Sequence, residues 1–181
     1  MSSDSDLVAR FRETRDEELF RQFVERHQQR VFHVALSVLG PAYSGDAEEV
    51  AQEVFLQAYL QLDGFRGDSA LSSWLYRIAW NRAVDRRRLA RFRHPHVAET
   101  EPGAASPDAS PLAEVLDRER FARVQAAVET LPEVYRTLVR LHYWLGCPLL
   151  EIQEITGIPE GTVKSYLARA RKRLERRLAN V

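Results

Sequence analysis

The sequence predicts an all-α protein made of two small helical domains, the second of which contains a helix-turn-helix. Apolar residues recur at helical spacing on both sides of one interruption, residues 94–111, which is rich in proline, alanine and serine. Near the C-terminus a Gly-Ile-Pro-Glu turn, residues 157–160, separates two apolar-periodic stretches closely enough for a helix-turn-helix. We therefore expect domains over residues 1–93 and 112–181, joined by a flexible linker that leaves them free of each other.

The first domain shows three helices in order. Asp16 is placed to cap the first helix, which Gly40 ends. The second begins where Asp46 and Glu49 have the spacing of a capping box, and its apolar residues then follow the i, i+3, i+4, i+7 rule up to Leu62. The third follows a turn rich in glycine and aspartate and has an apolar stripe of its own.

The second domain also has the pattern of helices. One helix is predicted over Leu112–Val128, and another begins at Leu131, where the following proline is tolerated in a first turn. The last two helices form the helix-turn-helix. On the final helix the stripe opposite the apolar residues has short hydroxyls first and cations after them, which is typical of a recognition helix in a DNA major groove. That stripe comprises Thr162, Ser165, Tyr166, Arg169 and Arg173.

The net charge is zero, yet basic residues are concentrated in two stripes. Residues 77–93 and residues 164–177 each hold seven basic residues and one acidic residue. Cations at a helix C-terminus complement the helix dipole, but that effect does not explain an excess of this size. Two basic stripes far apart in sequence indicate two separate contacts with a polyanion. Within the first stripe, Trp80 either stacks on an unpaired base or lies at a seam between helices.

The polar face of the second helix carries acids and amides and no cation. A solvated helix usually mixes the two signs of charge to gain i, i+4 pairs. A face of one sign is also suited to docking on a basic partner, and the pattern alone leaves both interpretations open. The face comprises Glu48, Glu49, Gln52, Glu53, Gln57 and Gln61.

Several classes of function have no support in the sequence. The single cysteine, Cys147, excludes an internal disulfide and a multi-cysteine metal site. No nucleophile–base pair, phosphate-binding glycine loop or metal-ligand cluster is recognisable, so we expect neither an enzyme nor a bound cofactor. No apolar run is long enough to span a membrane, and the N-terminus lacks the pattern of a signal peptide, so we expect a cytoplasmic protein.

Three stretches together resemble the extracytoplasmic-function sigma factors, the two-domain subunits that direct bacterial RNA polymerase to promoters. The stretch DAEEVAQEVFLQAY resembles the family's core-polymerase-binding helix. The stretch FRGDSALSSWLYRIAWNRAVDRRR is similar to the segment that melts the promoter and reads its −10 element. LPEVYRTLVRLHYWLG and EITGIPEGTVKSYLARARKRL are similar to the domain that binds the −35 element.

The resemblance implies three sets of contact residues and a partner that regulates them. Core polymerase would bind Asp46, Glu49, Gln52 and Glu53. The −10 element would be read by Phe65, Ser69, Tyr76, Arg77, Trp80, Asn81, Asp85 and Arg88. The −35 element would be bound by Thr162, Lys164, Ser165, Tyr166, Arg169 and Arg173. A cognate anti-sigma factor is also implied, because members of the family are commonly held inactive by one.

The helix-turn-helix departs from the family pattern at three positions. Gln153 stands where a small alanine is usual, Pro148 replaces a hydroxyl cap, and Tyr166 stands where an arginine is common. The alternative to a sigma factor is a stand-alone helix-turn-helix regulator that binds palindromic DNA as a dimer. That alternative leaves the first basic stripe without a role.

Overall fold

The computed structural model describes residues 4–65, 70–93 and 121–179, and all regular secondary structure in these ranges is helical. The predicted linker, residues 94–111, and Ser69 lie outside the described residues. The α-helices are α1 (Asp4–Thr14), α2 (Glu17–Leu39), α3 (Ser44–Gln61), α4 (Leu71–Arg93), α5 (121–129), α6 (Glu133–Val139), α7 (Leu149–Thr156) and α8 (Glu160–Leu178).

The all-α prediction and the helix-turn-helix are confirmed. Helices α1–α4 form what we call the N-terminal bundle, and α5–α8 form the C-terminal bundle. Within the described ranges, none of the helices has the length and apolar character needed to cross a bilayer.

Helix α1 is an element that the sequence pattern did not predict. Leu7, Val8 and Phe11 are buried on one side of it and extend the core of the N-terminal bundle. The next helix begins as predicted, because the Asp16 carboxylate accepts a hydrogen bond of 3.0 Å from the backbone N–H of Glu18.

The capping box predicted for α3 does not form. Helix α3 begins at Ser44, directly after a 3₁₀ turn over Pro41–Tyr43, and no side chain caps its N-terminus. Asp46 lies in the first turn instead, and its carboxylate pairs with Arg86 of α4. An arginine brought close by the fold therefore takes the carboxylate that local spacing assigned to the backbone.

The C-terminal bundle contains two local departures from a regular helix. Helix α6 continues into a π turn over Arg140–Trp144, in which the N–H of Leu145 donates to the carbonyl of Arg140 at 3.0 Å. The turn between α7 and α8 depends on Gly157, whose φ of 73° lies in the left-handed region. This turn directs α8 across α7 and sets the orientation of its outer face.

The two bundles pack against each other, whereas the sequence predicted two domains without mutual contact. Arg30 of α2 donates to Glu151 of α7 at 3.2 Å, and Arg140 donates to the backbone carbonyl of Ser37 at 2.9 Å. Arg77 of α4 donates to the carbonyl of Glu154 at 2.5 Å. Long arginine side chains reach across the boundary and bind groups near helix ends, and apolar residues of both bundles belong to one hydrophobic core.

Cys147 lies at the boundary between the two bundles, and the reactivity of its thiol depends on how closely they pack. Its thiol has no exposed surface and accepts a hydrogen bond of 3.3 Å from the Arg30 guanidinium. Burial raises the pKa of this thiol above its usual value. A protonated and inaccessible thiol reacts slowly with disulfide reagents.

Arg30→Gln is expected to loosen the contact between the bundles. The substitution leaves the Glu151 carboxylate without its cation and costs about 1 kcal/mol of unfolding free energy. The Cys147 thiol should then react faster with a disulfide reagent under native conditions. Arg21→Gln is the control, because Arg21 lies on the exposed side of α2 and its ion pairs with described residues are those with Glu18 and Glu25. Equal reaction rates in the two variants would contradict the assignment.

Candidate nucleic-acid and polymerase interfaces

The predicted polymerase-binding residues share the polar face of α3. The buried stripe of this helix turns the opposite way and consists of Ala47, Val50, Val54 and Ala58. The side chains of Asp46, Glu49 and Glu53 are 44%, 66% and 43% exposed, and Gln52 is exposed beside them. The exposed side of this helix is therefore rich in carboxylates and amides, and its docking on polymerase stays a prediction.

The carboxylates on this face of α3 form ion pairs with arginines of α4. Arg86 of α4 lies within 3.3 Å of an Asp46 oxygen, within 2.6 Å of a Glu53 oxygen, and also donates to Glu49. Its pKa is raised, chiefly by the hydrogen bond to Glu49. Arg82, one turn earlier, donates to Gln57 at 2.9 Å and lies 3.9 Å from Glu53. Sequence reasoning missed this pairing, because it joins two stripes that were assigned to different partners.

The predicted −10 residues are only partly brought together. Asn81, Asp85 and Arg88 are exposed along one side of α4. Arg77 is exposed too, but its guanidinium is bonded to the α7 backbone. Trp80 is half-buried and packs against the core, which favours the seam over a free stacking surface.

Tyr76 does not lie on this surface, contrary to the prediction. It is 4% exposed, because its position on α4 falls on the same side as Ala79 and Ala83, both fully buried. Its hydroxyl lies 2.8 Å from Nδ1 of His27, and Nε2 of His27 lies 2.8 Å from an Asp4 oxygen. A carboxylate can only accept, so Nε2 donates to Asp4, and the contact between Nδ1 and the tyrosine hydroxyl extends this chain of hydrogen bonds from α1 to α4. Burial raises the pKa of Tyr76 to about 12.

Phe65 is held at the end of a short turn rather than free in solvent. Its ring packs on Trp74 with 5.3 Å between ring centroids. Its carbonyl accepts a hydrogen bond of 2.8 Å from Arg12 of α1, which also donates to the carbonyl of Leu62. The unpredicted first helix therefore positions the residue from which the predicted promoter loop starts.

The arginines of α4 are largely used within the protein. Besides the contacts of Arg77, Arg82 and Arg86, the guanidinium of Arg87 donates to the carbonyl of Val38 and lies 3.4 Å from Glu133. Arg88 forms no ion pair with another described residue. The first basic stripe is therefore a set of internal contacts as well as a candidate surface.

The outer face of α8 is different, because its cations point to solvent. Lys164, Arg169 and Arg173 are exposed and make no ion pair within the part of the chain that the structure describes. Tyr166 is half-buried and packs on Tyr135 of α6 at 5.1 Å between ring centroids, and the Arg173 guanidinium lies 5.3 Å from the same Tyr135 ring. The arrangement offers a row of cations with short hydroxyls at its N-terminal end, which suits a DNA groove.

Gln153 has a role that the sequence did not reveal. Its side-chain oxygen accepts a hydrogen bond of 2.7 Å from the backbone N–H of Glu160, in the first turn of α8. Pro159, at the N-cap position, has no side-chain acceptor of its own. The amide that departs from the family pattern therefore supplies a cap from α7 and ties the start of α8 to that helix.

Arg169→Ala should weaken binding of the isolated protein to duplex DNA. The loss is about 1–3 kcal/mol if Arg169 reads a base, and the salt slope falls by about 0.9 if it contacts a phosphate. Arg10→Ala removes the same charge from the exposed side of α1 and is the matched control. The measurement is fluorescence anisotropy over a salt series. If both variants lose the same affinity, only bulk charge is at work and α8 is not the binding surface.

Models of known families match both parts of the chain. The model described as Sigma-70 region 2 matches residues 23–93, and the model described as Sigma-70, region 4 matches residues 121–174. The ranges include α3 and α4 in the first case and the helix-turn-helix in the second.

Relatives of known function match nearly the whole chain. The ECF RNA polymerase sigma factor SigW of Bacillus subtilis is 32% identical, over 92% of this chain and 92% of that protein. The ECF RNA polymerase sigma-E factor of Escherichia coli K12 is 35% identical, over 97% of this chain and 94% of that protein.

Two solved structures share the fold. One is CnrH in complex with the cytosolic domain of CnrY, with a TM-score of 0.70, 24% identity and coverage of 99% of both chains. The other is the sigma factor RpoE in complex with the anti-sigma factor NepR from Bartonella quintana. Its TM-score is 0.68 at 24% identity, with coverage of 88% of this chain and 96% of that one. With both sigma regions matched in order and close relatives along its length, this chain belongs to the extracytoplasmic-function RNA polymerase sigma factors.

Proposed function

We propose that this sigma factor divides its work among three helices, with α3 docking on core polymerase, α4 reading the melted −10 element and α8 binding the −35 duplex. The observation that carries the proposal is the segregation of charge, because exposed carboxylates on α3 and exposed cations on α8 belong to one chain. Surfaces of opposite sign suit partners of opposite sign, a basic protein surface and a nucleic acid.

The domain boundaries belong to this proposal. Residues 1–93 would bind core polymerase and the −10 element, residues 112–181 would bind the −35 element, and residues 94–111 would connect them. Since a sigma factor works by binding, we propose no catalysed reaction and no cofactor, and we propose the cytoplasm as its place of action. Matches to both sigma regions along one chain favour this function over a stand-alone dimeric regulator.

The −10 surface would be Asn81, Asp85 and Arg88, with Arg77 and Trp80 at its edge and Phe65 and Ser69 at its start. Tyr76 is left out because its hydroxyl is bonded inside the N-terminal bundle. Arg77 contacts α7, so full use of this surface requires α7 to move away. A melted base needs a cationic and partly apolar platform, which exposed Asn81 and Arg88 beside Trp80 would provide.

An anti-sigma partner is part of the proposal. The two structural relatives were solved with CnrY and with the anti-sigma factor NepR. A protein that stabilised the contact of α4 with α7 would keep Arg77 bonded to the α7 backbone and hold the two proposed DNA-binding surfaces in one fixed arrangement. A partner that binds one arrangement better shifts the population toward it.

Glu49→Gln with Glu53→Gln should weaken binding of core polymerase by about threefold to tenfold. Neutral glutamines are used because lysines at these positions would be placed against Arg86. Glu18→Gln with Glu25→Gln is the control, since it makes the same change of charge on α2, where both acids pair with Arg21. Binding is measured by titrating labelled sigma factor with core enzyme. Equal affinities for the two double variants would remove α3 from the docking surface.

A further inference from the structure

We propose that Arg86 sets the affinity of this sigma factor for core polymerase by competing for the carboxylates of α3. The inference rests on the proposed docking role of Glu49 and Glu53. In this arrangement the guanidinium occupies the acidic face until a basic polymerase surface takes its place. Arg86 thus modulates docking at α3, although it belongs to α4, the helix proposed to read DNA.

The geometry places Arg86 at the centre of the acidic face. Its two terminal nitrogens reach Asp46, Glu49 and Glu53, which follow one another at i, i+3 and i+7 along α3. The arginine side chain is 26% exposed, whereas that of Glu49 is 66% exposed. Arg86 therefore approaches from the α4 side, while solvent and any partner approach from the other side.

The hydrogen bonds draw carboxylate oxygens toward α4. An oxygen bonded to Arg86 is not directed at an incoming cation, so a partner must either share it or displace the arginine. The pairs are at the surface, where the individual interaction is weak enough to be exchanged. A partner that brings several cations can replace them without leaving a charge buried, because Arg86 retains access to water.

The net charge of the α3 face also indicates that Arg86 weakens docking. Arg86 neutralises part of the negative charge that would attract a basic surface over a distance. Replacing it with a neutral side chain makes the face more negative by one unit and frees the bound oxygens. Both effects favour faster association and tighter binding.

A purely structural role for Arg86 predicts the opposite result. If its bonds serve only to hold the carboxylates in the geometry that polymerase needs, their loss will weaken docking. The sign of the change in affinity therefore separates competition from pre-organisation. The free energy of unfolding does not separate them, because in both cases Arg86 joins α3 to α4 and its loss destabilises the protein.

The test is the affinity of full-length Arg86→Gln for core polymerase at two salt concentrations. We expect binding roughly two- to fivefold tighter than wild type, with the gain larger at the lower salt. Arg21→Gln is the matched control, because it releases two exposed carboxylates on α2 with the same change of charge. It should leave the affinity unchanged.

Two further variants make the result decisive. In the Glu49→Gln, Glu53→Gln background, Arg86→Gln should no longer tighten binding, since the main carboxylates it competes for are gone. If Arg86→Gln lowers the unfolding temperature, Arg86→Lys is compared below that temperature. Lysine keeps the charge but cannot hold three carboxylates at once, so tighter binding supports competition.

Affinity equal to or weaker than wild type, in Arg86→Gln or in Arg86→Lys where the former is not folded, would overturn the inference. A different result would show that α3 does not dock on polymerase. In that case the Glu49→Gln, Glu53→Gln protein binds core polymerase with the affinity of wild type, with or without Arg86→Gln.

Discussion

Arginine side chains that cross from one helix to another determine which charges of this protein are available to a partner. Arg30, Arg77, Arg87 and Arg140 reach between the two bundles, and Arg86 joins α4 to α3. A guanidinium has several donors in a fixed plane and satisfies them wherever carbonyls or carboxylates lie close. Because most of the described arginines of α4 are used in this way, that helix contributes to the fold as much as to a surface.

The two proposed DNA-binding surfaces consequently differ in how freely their cations are available. The cations of α8 point to solvent, whereas Arg77 of α4 is bonded to the backbone of α7. The first helix of the helix-turn-helix therefore contacts an edge of the proposed −10 surface. If α8 and α4 have the DNA-binding roles proposed above, a protein in this arrangement would contact duplex DNA first and would read a melted strand only after α7 leaves α4. Polymerase supplies such a change if it binds the two bundles at separate places.

Periodicity predicted much of the fold, and tertiary contacts account for what it missed. The apolar stripes of α2, α3 and α8 are long enough for helical spacing to identify them. Helix α1 is short and begins in an acidic stretch, although Leu7 and Phe11, at i and i+4, carry the signal that would have found it. Asp46 has the spacing of a cap and instead pairs with Arg86, because the helix begins two residues earlier, at Ser44, and the fold brings the guanidinium within 3.3 Å of the carboxylate.

The contact surfaces were predictable to different degrees. On α8 Ser165, Arg169 and Arg173 of the polar stripe are exposed as predicted, whereas Thr162 and Tyr166 are partly buried. Other helices pack on several sides of α4, so Tyr76 is buried. For the same reason, fewer arginines of α4 are free to bind a partner than the charge pattern predicted. The cap that Gln153 gives to Glu160 crosses a turn between two helices, and no spacing rule indicates it.

The proposed movement of α7 away from α4 in the promoter complex is tested most directly by energy transfer. Fluorophores are placed at exposed positions 28 and 175, on α2 and α8, in a Cys147→Ala background. A short distance is expected in the free protein and a clearly longer one in holoenzyme bound to promoter DNA. The same distance in both states would contradict it.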